Sequence, residues 1–154
     1  MTGRVVVIGV GNPFRRDDGV GPAVVEALRA AEVPADTLTV SDGEPARMLD
    51  LWGRQDTVVI VEAVHAHPGH PGRLHTLRAE DAARYASDSA SSHALGLGET
   101  IALAAALDRL PRELVVHAVE GADFTLGTGL SPLVRSALPE LTRLAADTVR
   151  TARA

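Results

Sequence analysis

Residues 4–28 read RVVVIGVGNPFRRDDGVGPAVVEAL, and this stretch decides the fold. It opens with a run of β-branched residues that ends at Val10, which is typical of a buried strand. After a loop, apolar residues recur on one face of a helix, at Val20, Val24, Ala27 and Leu28. A strand followed directly by such a helix is the building unit of an α/β fold.

The same alternation continues along the chain. Further strands are predicted at 36–41, 57–61, 73–77 and 113–119, and helices at 44–51, 97–110 and 131–150. Residues 79–92 are polar and serine-rich, and we expect a short helix and a loop there. The pattern predicts a single domain, 1–154, built as a three-layer α/β/α sandwich around a mostly parallel sheet. Ligands of such folds bind outside the carboxyl ends of the strands, so the polar residues that follow each strand are the candidates for function.

The composition argues against several classes of function. The chain has no cysteine, which excludes thiol nucleophiles, disulfides and cysteine zinc sites. All 15 basic residues are arginine, so no lysine is present to form a Schiff base or a phosphate-binding loop. Aromatic residues make up 3% and the net charge is -5. We therefore expect no nucleic-acid partner, because such proteins use basic surfaces and aromatic platforms.

No segment predicts a membrane span or a secretory signal. The longest apolar run outside the first strand, 101–107, is far shorter than the roughly 20 residues that cross a bilayer. The stretch MTGRVVVIGVG lacks the basic region and long apolar region of a signal peptide. We therefore expect a cytoplasmic protein with no membrane partner.

The loop after the first strand allows three interpretations. The segment 9–11, Gly-Val-Gly, resembles the start of a dinucleotide-binding fingerprint, but Phe14 stands where the third glycine is needed. Asp17 and Asp18 follow at the predicted start of the helix, where one carboxylate would suffice as a cap. The other would lie at the mouth of the sheet, where the positive helix terminus favours the ionised form, a ligand for hard cations. From the residues alone, capping and cation binding both stay open.

Two further residues are candidates to join Asp18 at this edge. Glu62 follows four apolar residues of the predicted central strand, and a carboxylate there is costly unless it is paired or bound to a cation. An ion pair with an arginine and a metal site are the alternatives. His93 precedes the helix 97–110 in a Ser/Gly-rich turn. Two carboxylates and one imidazole would suit nickel, zinc, iron or manganese and would leave coordination positions open.

A rival histidine group lies in HAHPGHPG, residues 65–72. Its spacing of His65, His67 and His70 could bind a metal adventitiously. Because proline and glycine predict a mobile surface loop, we expect no functional ligation there.

Five pieces of sequence occur in the order typical of one known family. They are GVGNP (9–13) with DDGVG (17–21), VEAV (61–64), PG (71–72) before a strand, SSH (91–93) before a helix, and GLSP (129–132). In these pieces the chain resembles the NiFe-hydrogenase maturation endopeptidases. The resemblance extends over nearly the whole chain.

The resemblance implies a mixed five-stranded sheet with one antiparallel strand. It also implies a nickel-dependent endopeptidase, of aspartyl-type activity, that removes a C-terminal extension from a hydrogenase large-subunit precursor after nickel insertion. The family's metal positions fall on Asp18, Glu62 and His93. Nickel would come with the precursor, and zinc or cadmium could replace it in a crystal. Asp17 and Asp42 are candidates for the general base, and the chain is expected to act as a monomer on this one partner.

Two departures from the family pattern are visible. The family often has Glu and then Asp where this chain has Asp18 and Glu62, so the reach of each ligand differs by one methylene. The segment 42–45, DGEP, stands where the family commonly has Asp-Gly-Gly-Thr beside the substrate cleft. A non-catalytic chaperone that checks nickel in the precursor is therefore an alternative function, and a dinucleotide-binding enzyme is another.

Overall fold

In the part of the chain that the structure describes, five strands form one mixed sheet. The structure is a computed structural model that describes residues 3–81 and 97–154. The strands are β1 (Val5–Val10), β2 (Thr37–Ser41), β3 (Thr57–Val64), β4 (Leu74–Arg78) and β5 (Glu113–Glu120). Their order is β2-β1-β3-β5-β4, in which β4 runs antiparallel to β5 and all other neighbours are parallel. The predicted mixed, mostly parallel sheet is confirmed.

Helices cover both faces of this sheet. In the described residues they are a 3-10 turn (Arg16–Gly19), α1 (Val20–Ala30), α2 (Pro45–Leu49), α3 (Gly98–Ala106) and α4 (Pro132–Arg153). Side chains of α1 and α4 pack on one face, and side chains of α2 and α3 pack on the other. This is the predicted α/β/α sandwich. Within the described ranges, no helix has both the length and the apolar character needed to cross a bilayer.

The central strand β3 shows why both faces are covered. Val59 and Val61 point to the layer of α1 and α4, whereas Val58 and Ile60 point to the layer of α2 and α3. All four side chains are buried. A strand that is apolar on both sides must have a helix on each face, and this is what a continuous apolar run predicts.

Some elements differ in length from the prediction. β3 continues to Val64 rather than ending near residue 61, because its pairing with β5 runs on to Val64 and Glu120. Glu62 is therefore part of the strand, opposite Ala118. α3 ends at Ala106, just before the left-handed residue Asp108 (φ 55°), and is shorter than the predicted 97–110. Most of the predicted segment 79–92 lies outside the described residues.

Two glycines let α1 lie directly on the sheet. A Cβ on Gly21 would stand 2.6 Å from the backbone N and O of Val10 and from the backbone O of Val61. A Cβ on Gly9 would stand 2.4 Å from the carbonyl oxygen of Gly21. Because no side chain separates them, the first turn of α1 contacts β1 and β3. The preceding 3-10 turn is thereby fixed at the carboxyl edge of the sheet.

This close approach predicts that Gly21→Ala destabilises the protein. The added methyl must displace backbone, which typically costs about 1–3 kcal/mol, and the higher helix propensity of alanine offsets at most about 1 kcal/mol. Urea denaturation of Gly21→Ala against the parent chain measures the change. Gly53→Ala is the control, since its Cβ would meet only Asp56 Oδ2, at 3.6 Å. Equal stability of the two variants would contradict the prediction.

Candidate active site

Asp18 lies in the 3-10 turn that follows β1. One oxygen of its carboxylate, Oδ2, accepts a hydrogen bond of 2.8 Å from the backbone N–H of Asn12. Gly11, at φ 141°, allows this contact, because a Cβ at that position would stand 1.8 Å from the carbonyl oxygen of Asp18. The first loop thus folds back on itself and holds the Asp18 carboxylate at the edge of the sheet.

Glu62 is the second carboxylate of this edge, and it is buried. Its side chain projects from β3 near the carboxyl end, and the residue is 5% exposed. Its Oε1 has no hydrogen-bond partner among the described residues. Burial raises the pKa of the Glu62 carboxyl well above the ordinary value of 4.5, and the negative charge of Asp18 raises it further. Of the two alternatives left open for Glu62, the ion pair with an arginine is not formed in the part of the chain that the structure describes.

Asp18 and Glu62 together have the chemistry of a cation site. The negative charge of Asp18 opposes ionisation of Glu62, and a divalent cation between the two carboxylates would remove that repulsion. His93, the predicted third ligand, lies outside the described residues. Within 3–81 and 97–154, no group of three or more His, Cys, Asp or Glu side chains is placed to hold a metal. The structure thus brings together two of the three predicted ligands.

Asp17 has an environment quite different from that of its neighbour. The residue is fully buried, and its carboxylate accepts four hydrogen bonds. The donors are the backbone N–H groups of Ala122, Asp123 and Ser131 and the hydroxyl of Ser131. Burial raises the pKa of Asp17, but these hydrogen bonds outweigh it and the net shift is downward. A carboxylate with occupied oxygens and a lowered pKa suits an anchor better than a general base.

Asp42 follows β2 and remains exposed. Its Oδ1 accepts a hydrogen bond of 3.0 Å from the backbone N–H of Glu44, and its Oδ2 accepts one of 2.5 Å from the guanidinium of Arg47. The Glu44 N–H and then the Arg47 guanidinium lower the pKa of the Asp42 carboxyl. Of the two candidates for the general base, only Asp42 is therefore exposed to solvent. It forms an ion pair with Arg47.

The unusual segment 42–45 builds the start of α2. The carboxylate of Glu44 accepts hydrogen bonds from the backbone N–H groups of Ala46 and Arg47, and Pro45 occupies the first turn. Glu44 is thus an N-cap rather than a free charge in a cleft. Gly43 is at φ 86°, a left-handed backbone conformation that favours glycine.

The rival histidine group is not assembled as a metal site. The ring of His65 packs edge-on against Phe124 at 4.2 Å between centroids and lies 5.2 Å from the ring of His67. The backbone N–H of His70 donates to Glu120, whose other oxygen lies 2.8 Å from Nε2 of His75. These contacts give the loop a structural role that the spacing of its histidines did not reveal.

Sequence reasoning missed the segment that surrounds Asp17. Residues 121–131 supply all four donors to its carboxylate, yet they lie more than 100 positions away in the chain. In the sequence, the Gly-Leu-Ser-Pro segment 129–132 carries only the resemblance to the family. No periodicity or spacing within the sequence connects Ser131 with Asp17.

The raised pKa of Glu62 predicts a pH-dependent stability for the metal-free protein. A folded state that binds this proton more tightly than the unfolded state loses stability as pH rises from about 4.5 towards the raised pKa. Glu62→Gln removes this loss, so its stability relative to the parent chain should increase with pH, by at most about 1.4 kcal/mol per pH unit. Denaturant titrations between pH 4.5 and 8 in a chelator measure the difference. A difference that stays constant across this range would contradict the burial of the carboxyl.

Comparisons with known proteins identify the family and the fold. The family model HycI, described as hydrogenase maturation protease, matches residues 22–148. The hydrogenase 2 maturation protease of Escherichia coli is 28% identical over 135 residues, which cover 86% of this chain and 82% of that protein. The hydrogenase expression/formation protein HupD of Bradyrhizobium diazoefficiens is 29% identical, over 86% of this chain and 70% of its own.

A solved structure shows the same architecture. The hydrogenase maturating endopeptidase HybD from Escherichia coli superposes with a TM-score of 0.79, covering 97% of this chain and 93% of its own, at 23% identity. That likeness establishes the fold, and the match of the family model over most of the chain establishes the family. The chain belongs to the hydrogenase maturation protease family, a family of peptidases.

Proposed function

We propose that this chain is an endopeptidase that removes a C-terminal extension from a hydrogenase large-subunit precursor once nickel has been inserted. Membership of the protease family supports the reaction class. The observation that carries the nickel dependence is the buried Oε1 of Glu62, which lacks a hydrogen-bond partner in the described part of the chain and lies within the field of Asp18. A carboxylate in that position is stabilised most directly by a cation.

The donor set fits a nickel ion that arrives with the precursor. Asp18 and Glu62 supply two carboxylates, and His93 is proposed as the imidazole ligand. Residue 93 stands four positions before Leu97, which packs in the same layer as Ile60 of β3. A bound divalent ion would supply a Lewis acid that polarises a carbonyl or a water molecule. Zinc or cadmium would be accepted by the same ligands.

The protein's own residues would bind and orient the precursor and manage the proton. Asp18 is held by the Asn12 N–H, and Glu62 is held by β3, so both carboxylates are placed before the precursor arrives. Asp42 is proposed as the general base, because Asp17 is fully engaged by its four donors. To accept a proton, Asp42 would exchange its contact with Arg47 for one with the attacking water.

Two exposed apolar side chains border this site and are proposed to contact the precursor. Phe14 is 65% exposed and Leu126 is 73% exposed. The N–H of Gly127 donates a 2.9 Å hydrogen bond to the carbonyl of Phe14, so the two loops that carry these side chains are joined. Phe14 also lies in the loop that leads to Asp18. A large partner docked on the site would bury both side chains.

The cleavage proposal predicts a mass loss from the precursor. A nickel-loaded precursor incubated with the protein should lose its C-terminal extension, which intact-mass spectrometry detects. We expect Asp18→Asn, Glu62→Gln and His93→Ala each to abolish processing while leaving the fold intact. A triple substitution of His65, His67 and His70 is the control and should process normally. Tight binding of the precursor without any mass loss would instead establish the nickel-checking chaperone.

The docking of the precursor predicts an effect on KM. Phe14→Ser and Leu126→Ser should raise KM for precursor processing by about fivefold or more, because truncating a buried interface anchor costs over 1 kcal/mol. Steady-state processing rates over a range of precursor concentrations measure this. Leu107→Ser is the matched control. Leu107 is 53% exposed, but it lies between the end of α3 and the start of β5, away from the C-terminal ends of the parallel strands. The same KM in all three variants would place the precursor elsewhere.

A further inference from the structure

Ser131 stands at the start of α4 and does not cap it. It is the N-cap residue, with an extended backbone (φ -63°, ψ 158°), yet its side chain makes no capping hydrogen bond to the helix. Serine at this position usually accepts a hydrogen bond from a backbone N–H of the first turn, which stabilises the helix. Here the hydroxyl donates to Oδ2 of Asp17 at 2.7 Å instead, and the N–H of Ser131 donates to Oδ1 at 2.7 Å.

The same carboxylate ties down a second segment. The N–H groups of Ala122 and Asp123 donate to Oδ2 of Asp17 at 2.8 and 3.0 Å, and the N–H of Asp17 donates to the carbonyl of Asp123 at 3.0 Å. The loop fits closely around Asp17, since a Cβ on Gly121 would stand 3.2 Å from the Cβ of Asp17. One buried side chain thus joins the 3-10 turn, the loop after β5 and the start of α4.

The backbone beside Asp17 is strained. Arg16 has a φ of 47°, in the left-handed region that is unfavourable for a residue with a side chain. Its N–H donates to the carbonyl of Gly127, and its guanidinium forms an ion pair with Asp123 at 3.6 Å. Such a conformation persists only when its surroundings enforce it. The bonds of Asp17 and Arg16 to residues 121–131 provide that enforcement.

We propose that Asp17 is a positioning residue which, through Ser131 and the loop 121–123, holds the carboxylate of Asp18 beside that of Glu62. Asp18 follows Asp17 directly, so a turn that is fixed at Asp17 fixes the direction in which Asp18 leaves the backbone. This inference rests on the proposed role of Asp18 as a ligand. Partners that orient ligands from behind commonly change metal affinity or activity by about 10–100-fold when they are substituted.

The Asn12 amide gives a readout that needs neither metal nor precursor. Its N–H donates to Asp18, so its resonance in a two-dimensional nitrogen–proton NMR spectrum reports where Asp18 lies. In Asp17→Asn, and to a smaller extent in Ser131→Ala, we expect this resonance to shift towards its position in Asp18→Ala. We also expect the processing rate of the nickel-loaded precursor to fall about 10–100-fold in Asp17→Asn, at temperatures where the variant is folded.

Asp56→Asn is the matched control. Asp56 is also a buried carboxylate, and it accepts hydrogen bonds from the N–H groups of Arg4 and Gly53 and from the Arg4 guanidinium, just before β3 begins. We expect it to lower the melting temperature but to leave the Asn12 resonance and the processing rate unchanged. Should Asp17→Asn not fold, Ser131→Ala decides, since it removes a single hydroxyl.

The outcomes separate this inference from the function on which it rests. If Asp17→Asn and Ser131→Ala only lower the melting temperature, as Asp56→Asn does, and leave the Asn12 resonance in place, Asp17 is merely structural and the inference is overturned. If Asp18→Asn itself processes the precursor at the parent rate, the ligand role of Asp18 fails, whatever the Asn12 resonance shows.

Discussion

The buried side chain of Glu62 lies near a second carboxylate, that of Asp18. This pair is the constraint on which the site at the C-terminal ends of the strands depends. The side chain of Glu62 projects from the central strand, which has helices on both faces. The neighbouring loop and turn lie around it. Gly9 and Gly21 let α1 contact the sheet, which brings the 3-10 turn and Asp18 to the same place. The repulsion between Asp18 and Glu62 is a cost that folding carries in the absence of a cation. This repulsion is what supports the proposed cation site.

The two carboxylates are held in different ways, and this bears on the exchanged lengths of the two proposed ligands. The shorter residue, Asp18, lies on a turn and is steadied by the Asn12 N–H. The longer residue, Glu62, projects from a paired strand and has an oxygen without a partner among the described residues. The extra methylene is therefore on the residue that lies in the hydrogen-bonded strand. The longer side chain thus extends from the strand, at Glu62, and the shorter one extends from the turn, at Asp18.

Much of this arrangement could be predicted from the sequence, because its causes are local. The run 57–61 is apolar on both faces and so predicts a central strand, and Glu62 is a candidate because it follows that run directly. Asp17 and Asp18 could not be told apart in the same way, since both stand at the start of a helix and both would cap it. What distinguishes them is contact with residues 122–131, over 100 positions away. The role of Glu44 as an N-cap could not be predicted either. Its charge suggests an altered substrate cleft, and nothing in the sequence indicates that its carboxylate accepts hydrogen bonds from the next helix.

The hydroxyl that Ser131 gives to Asp17 also restricts which residues can begin α4. Asn and Asp are, with serine, the residues that begin helices best. At position 131 an aspartate would place a second negative charge against the Asp17 carboxylate, and an asparagine would bring a carbonyl oxygen or a bulkier amide into a space shaped for one hydroxyl. Threonine retains the hydroxyl and is the natural replacement. The residue that begins this 22-residue helix is therefore restricted by its hydrogen bond to a turn near the other end of the sequence.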